Sequence, residues 1–253
     1  MIRLDRFYGN RYNKRAKSAT LLQERSFNMS QFGLIFDMDG LIFDTERILV
    51  RCWCQAATEF GYSMQMQHAL AVRSLTWRLA EAYLKRELGA TFPYQAVRNR
   101  RRELVSAQLQ ANGLQVKPGT RTLLQFCKEQ GIPAAVATAS KREVAISYLK
   151  QADLYPYFTE IVGGDSIQNG KPAPDIYLAA ANALHLQPET CFALEDSPNG
   201  ILAAFYAGCR PIMIPDLTQP DEMLKPFLSH VADTPDAIIP ILQTLQNEKE
   251  EFH

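Results

Sequence analysis

Residues 32–36 (FGLIF) form a short apolar run that breaks into an acidic, glycine-containing turn. A run this short, closed by a turn signal, predicts a buried parallel strand. The pattern then lengthens. Residues 45–60 (TERILVRCWCQAATEF) fit a helix that Thr45 or Asp44 could cap and that ends at Gly61. Residues 68–88 and 94–112 also read as helices, with the turn at 89–93 between them and Gly113 closing the second. From Pro118 onward the rhythm changes. Helix 119–130 ends at Gly131 and strand 134–138 follows, then helix 141–151 and strand 160–162. Helix 174–185 leads to strand 191–194, and helix 198–207 leads through Gly208 to strand 211–214. Strands alternating with helices of this length require right-handed crossovers and a parallel sheet. The expected fold is α/β, a doubly wound parallel sheet with a helical insert after its first strand. Residues 29–44 and 114–245 would form the sheet domain and residues 45–113 the helical one.

Composition narrows the function classes. Apolar residues make up 47% of the 253, enough for a buried core. Lysine plus arginine and aspartate plus glutamate both number 27, so no overall field favours nucleic acid or a membrane surface. Any positive charge that binds an anion must be local. No run of roughly 18 apolar residues occurs, so no membrane-spanning helix is expected. The five cysteines form no C-x-x-C pair and join no histidine cluster, as expected of reduced thiols in a cytoplasmic protein. Residues 1–28 stand apart: seven Arg and Lys face only Asp5 and Glu24. This leader reads as a basic, disordered extension ahead of the folded part, with an organelle transit peptide as the alternative.

Four clusters carry candidate chemistry, and each falls at a strand end, where ligands bind in doubly wound folds. The first is DMDGLIFDTE from Asp37 to Glu46. Asp37 and Asp39, two residues apart, repel each other unless a cation lies between them, and oxygen-only ligation suits Mg²⁺. The plainer alternative is an acidic turn with helix-capping residues. The second, VATASK, ends in Thr138, Ser140 and Lys141, offering hydroxyl and backbone donors to an anion. Considered by itself, Ser140 reads as a plain helix cap. In GKPAPD, Lys171 is held between a glycine and a proline, against the ordinary fate of a solvated lysine. The fourth cluster, LEDSPNG, presents Glu195 and Asp196, with a capped strand-to-helix turn as its alternative. Acids, a hydroxyl, a lysine and acids converging on one pocket supply what phosphoryl transfer needs: a nucleophile, a cation and donors for the equatorial oxygens.

In their order and spacing these motifs resemble the haloacid dehalogenase superfamily, and most closely its β-phosphoglucomutase-like and sugar-phosphate phosphatase subgroup, from about Phe32 to Ile241. The resemblance implies a Rossmann-like core with a helical cap domain. It implies Asp37 as nucleophile, Asp39 as general acid and base, Thr138 as a hydrogen-bond donor to the phosphoryl group and Lys171 as charge stabiliser. Mg²⁺ would be held by Asp37, the carbonyl of Asp39, Glu195 and Asp196, with Ser140 and Lys141 beside the phosphate. Dehalogenases of the superfamily lack the second aspartate, because halide leaving groups need no proton, so Asp39 favours phosphoryl chemistry.

The expectation is therefore a Mg²⁺-dependent monomeric phosphatase of a small phosphorylated metabolite, a sugar phosphate or a nucleoside monophosphate. A hexose-phosphate mutase and a non-catalytic phosphate-binding protein are the alternatives. Residues 68–79 (HALAVRSLTWRL) lack the glycine of the mutase pattern, so Arg73 and Arg78 read as helix-surface residues, which weakens the mutase alternative. Trp53, Trp77 and Tyr83 read as core of the helical domain.

Overall fold

The computed structural model describes residues 32–250; the expectation for residues 1–28 lies outside them. Six strands form one parallel sheet: β1 (Gly33–Phe36), β2 (Ala134–Thr138), β3 (Glu160–Gly163), β4 (Cys191–Glu195), β5 (Arg210–Met213) and β6 (His230–Val231). Their order across the sheet is β3-β2-β1-β4-β5-β6, with Phe36 level with Val136 on one side and Leu194 on the other. The chain winds one way from β1 to β3 and then returns beside β1 with β4. This reversal opens a crevice at the carboxyl ends of the central strands.

Nine helices surround this plan among the described residues: α1 (Glu46–Glu59), α2 (Met66–Ala71), α3 (Trp77–Leu88), α4 (Tyr94–Asn112), α5 (Thr120–Glu129), α6 (Arg142–Gln151), α7 (Asp175–Ala183), α8 (Pro198–Ala207) and α9 (Ile239–Glu250). Strand residues alternate between two cores, as the two-residue period of a strand requires. Leu34, Phe36, Ala134 and Val136 pack with α5, α6 and the start of α9. Ile35, Ala135 and Ala137 pack with α7 and α8. Each large side chain fully withdrawn from water here contributes about 1.5–3 kcal/mol. Both faces are covered, so the sheet is doubly wound.

Helices α1 to α4 form the insert and share their own apolar cluster of Val50, Trp53, Ala56, Leu84, Phe92 and Val97. Two connections tie the insert to the sheet, and they run side by side. Asp44 donates its backbone N–H to Gln115, and Lys117 donates to Ile42, both at 2.9 Å.

The expected helix 68–88 is two helices. Between α2 and α3, Ser74 takes a positive φ of 59°, and the Thr76 hydroxyl accepts from the Leu79 amide. Hydroxyl side chains compete with helix for backbone partners, so a Ser-Leu-Thr stretch can break what apolar spacing would continue. Trp77, expected in the insert's core, is 44% exposed at the start of α3 with Arg78 stacked on its ring, whereas Trp53 is buried. None of the described helices is long and apolar enough to cross a membrane.

Candidate active site

Three of the strands deliver a polar residue at the carboxyl end. Asp37 follows β1, Thr138 closes β2, and Glu195 closes β4 with Asp196 next. Lys171 comes from the loop between β3 and α7. It is 1% exposed, contrary to the usual solvated fate of lysine. Its three ammonium protons go to Asp37 Oδ1 at 2.5 Å, Glu195 Oε1 at 2.5 Å and the Ala137 carbonyl at 3.1 Å. Burial alone would favour the neutral amine. Asp37 and Glu195 outweigh it and hold the lysine charged, its pKa raised above the ordinary value.

Glu195 is held on both oxygens. Oε1 also accepts from the Tyr177 hydroxyl at 2.6 Å, and Oε2 accepts from the Ser197 amide and hydroxyl. Residue 200 must be glycine for this: a Cβ there would lie 1.8 Å from Oε1. Ser197 caps α8 by accepting from the Gly200 amide, as the fourth motif's turn chemistry predicts.

Asp39 is fixed by two hydroxyls. Thr45 donates to Oδ1 at 2.7 Å and Ser140 to Oδ2 at 3.1 Å. This corrects two readings. Ser140 is not the helix cap, because Lys141 occupies that position without a side-chain bond. Thr45 sits at the start of α1, but its hydroxyl serves Asp39 rather than the helix. Thr138 is buried, and its hydroxyl oxygen accepts from the Ser140 amide at 3.1 Å. Lys141 is exposed, and no hydrogen bond or ion pair brings it into the cluster.

Asp37, Glu195 and Asp196 each bring one carboxylate oxygen to within 4.8 Å of the others, all buried. Burial pushes the Asp37 carboxyl well above the usual range, with Lys171 pulling against it and Glu195 and Asp196 adding to the push. Asp196 is raised likewise, first by burial and then by Glu46, with Arg73 opposing. Its Oδ1 is enclosed without a partner. Three crowded carboxylates and an orphaned oxygen are a donor set that fits a hard divalent cation. The single proton of Ser197 can serve Glu195 or the Ser74 hydroxyl, both 3.1 Å away.

One residue of the insert was misjudged from sequence, and a second was given no role. Arg73 is not on a helix surface. It is 6% exposed at the α2–α3 break and donates to Asp196 Oδ2 at 3.0 Å and to Thr218 at 2.5 Å. The break itself docks on the fourth motif, where Asn199 donates to the Arg73 carbonyl at 2.9 Å. Glu46, visible only as a helix-end acid, is buried beside Asp196. Gly40 permits that approach, since a Cβ there would meet both within 2.6 Å. Tyr177 gave no sequence signal, because an aromatic on an apolar helix face reads as core.

Comparison with known proteins agrees with this geometry. The profile of the haloacid dehalogenase-like hydrolases matches residues 34–214. The chain is 33% identical over 177 residues to a fructose-1-phosphate phosphatase of Escherichia coli, covering 70% of this chain and 92% of the relative. It is 32% identical to a phosphorylated carbohydrates phosphatase of Thermotoga maritima, over 71% of this chain and 82% of that one. Among solved structures, CbbY from Rhodobacter sphaeroides in complex with phosphate superposes with a TM-score of 0.69 at 26% identity, over 82% of this chain and 96% of that chain. The chain belongs to the haloacid dehalogenase-like hydrolases.

Proposed function

We propose that this chain is a Mg²⁺-dependent phosphatase of a small phosphorylated metabolite, working through an aspartyl-phosphate on Asp37. The observation that carries the reading is the buried array in which one lysine bridges Asp37 and Glu195 while Asp39 stands apart on two hydroxyls. The two aspartates therefore have different environments, as nucleophile and acid require. An Asp37 oxygen attacks phosphorus as the bond to the leaving oxygen breaks, and Asp39 gives that oxygen its proton. Asp39 then takes a proton from water, which attacks the phosphorus of the acyl phosphate and frees Asp37 with inorganic phosphate. Lys171 favours the ionised nucleophile against its burial and offsets charge on the phosphoryl oxygens. Thr138 and Ser140 line the same edge, with Lys141 exposed beside them at the phosphate side.

Asp37, Asp196, Glu195 and the carbonyl of Asp39 would hold Mg²⁺, which when bound offsets the negative charge of substrate and carboxylates. The insert of residues 45–113 would act as a cap over the core of residues 29–44 and 114–245. The similarity to phosphatases of fructose 1-phosphate and phosphorylated carbohydrates supports a sugar phosphate as substrate.

Replacing Asp37 by Asn should abolish Mg²⁺-dependent phosphate release from p-nitrophenyl phosphate; a variant that keeps its turnover would refute the nucleophile assignment. The inward position of Arg73 gives the mutase reading a second hearing, since that reading wants an arginine facing the site. Interconversion of hexose phosphate isomers without phosphate release, given a bisphosphate activator, would replace the phosphatase reading.

A further inference from the structure

The chain that follows β5 starts on the candidate active site and then reaches into the insert. Its first residue is tied to the site, since the Ile214 amide donates to the Glu195 carbonyl at 2.8 Å. Three consecutive residues, Asp216, Leu217 and Thr218, then take hold of the insert or its connections at different points. The Asp216 side chain is 4% exposed, and its Oδ1 lies 3.0 Å from Lys117 Nζ and 3.7 Å from Arg47 at the start of α1. Lys117 stands on the connection leaving the insert, paired with Ile42 on the connection entering it. Leu217 packs against the insert's apolar cluster, which includes Val50 and Trp53. The Thr218 hydroxyl accepts from Arg73 Nη2 at 2.5 Å, while Nη1 of the same guanidinium donates to Asp196 at 3.0 Å.

These grips differ in kind. A carboxylate as enclosed as Asp216 needs its cation, so its pair with Lys117 belongs to the folded state as a whole. That pair also lies at the connections, the axis about which the insert would turn, and a turn moves its partners little. Arg73 lies beyond the hinge, at the break between α2 and α3, and a turn carries it away from Thr218 and Asp196 together. A guanidinium presents its donors in a rigid planar fork. Held by Asp196 alone it could swivel about one contact, whereas a second acceptor on another element fixes its plane. Pro215 and Pro220 bracket the three residues, and each fixes its own φ, so the loop is shaped before the insert meets it.

We propose that residues 214–218 are a docking arm of the sheet domain. Asp216 anchors the hinge, while Leu217 and Thr218 hold the α2–α3 break down on the fourth motif. Thr218 is a positioning residue that acts through Arg73. The inference goes beyond the phosphatase reading and does not depend on it.

Hydrogen–deuterium exchange of the full chain, read by mass spectrometry, tests the arm without substrate or turnover. Thr218→Val keeps the shape of the side chain and removes the acceptor. In that variant the peptide spanning 70–79 should exchange about tenfold faster or more, as expected for loss of one hydrogen bond from a charged donor. Peptides covering β1 and β4 should keep the parent's rates. Thr218→Ser restores the acceptor and should restore slow exchange. Leu217→Ala should accelerate the same peptide, and it supplies the reading if the valine variant does not fold. Parent-like exchange at 70–79 in the folded variants, a serine variant as fast as the valine one, or acceleration spread equally over the sheet overturns the arm.

Discussion

The two sides of the crevice are finished to different degrees. On the sheet side, Lys171 spends all three protons, Glu195 accepts on both oxygens and Asp39 is gripped twice, although Asp196 Oδ1 is enclosed without a partner. On the insert side, Glu46, Arg73 and Arg101 each keep an enclosed polar atom with no partner. A fully satisfied buried network is rigid and costs nothing to reorganise when charge develops. A half-satisfied one awaits a ligand. The difference separates a lysine-centred cluster from insert residues whose polar atoms stay open. Glycine marks the junction: Gly40 and Gly200 remove the side chains that would hold Glu46 and Glu195 away from the site.

The strongest challenge to this contrast is Lys171→Met. It leaves Asp37 and Glu195 as buried carboxylates without their cation, and breaking such a pair typically costs about 3–5 kcal/mol. Urea unfolding should show that loss, and phosphate release should fall by about a thousandfold, as for other removed transition-state donors. A Lys171→Met protein with native stability would show that the sheet side is not a tightly coupled unit.

A smaller effect is expected from Arg73→Ala, because Arg73 offsets Asp196 across the boundary between the two sides. In chelator-treated protein the variant should lose up to about 3 kcal/mol of stability. Saturating Mg²⁺ should recover much of the loss, since a bound cation replaces the missing charge on Asp196. An equal loss with and without Mg²⁺ would mean that Arg73 and the ion do not share that carboxylate.

The smallest effect sharpens the insert side. Burial pushes Glu46 from the usual 4.5 up to about 8, with Arg73 and Arg101 opposing and Asp39 adding to the rise. A carboxyl raised on folding favours the native state fully below its unfolded pKa, and that contribution is lost as pH climbs through the folded one. Glu46→Gln does not titrate. Its Tm relative to the parent, in chelator, should therefore increase steadily between about pH 4.5 and pH 8. A Tm difference independent of pH would place Glu46 in contact with water.

The reach of sequence reasoning follows the same division. Asp37, Glu195 and Asp196 were legible because four polar motifs recur in order after apolar strands, and strand ends in a parallel sheet converge. Lys171 was legible because glycine and proline constrain it. Ser140 considered by itself reads as a cap because a hydroxyl before a helix has a sufficient local explanation, and its bond to Asp39 spans 101 positions of the chain. Glu46 closes the first motif but drew no role, because an acid in a helix's first turn carries no sign of a distant partner. Strand β6 is two residues long, too short for any period to show.

The sequence alone determined the α/β architecture, the position of the insert and the residues of the sheet-side cluster. Those follow from apolar periodicity and from backbone geometry that local residues impose. Tertiary structure decided what the insert contributes. Whether Arg73 faces water or Asp196 depends on a break that Ser74, Ser197 and Asn199 fix between them. Whether Glu46 and Arg101 meet or stay apart depends on how α1 and α4 pack. Local propensity carries no term for contacts between distant segments, and the insert's side of this site is made of such contacts.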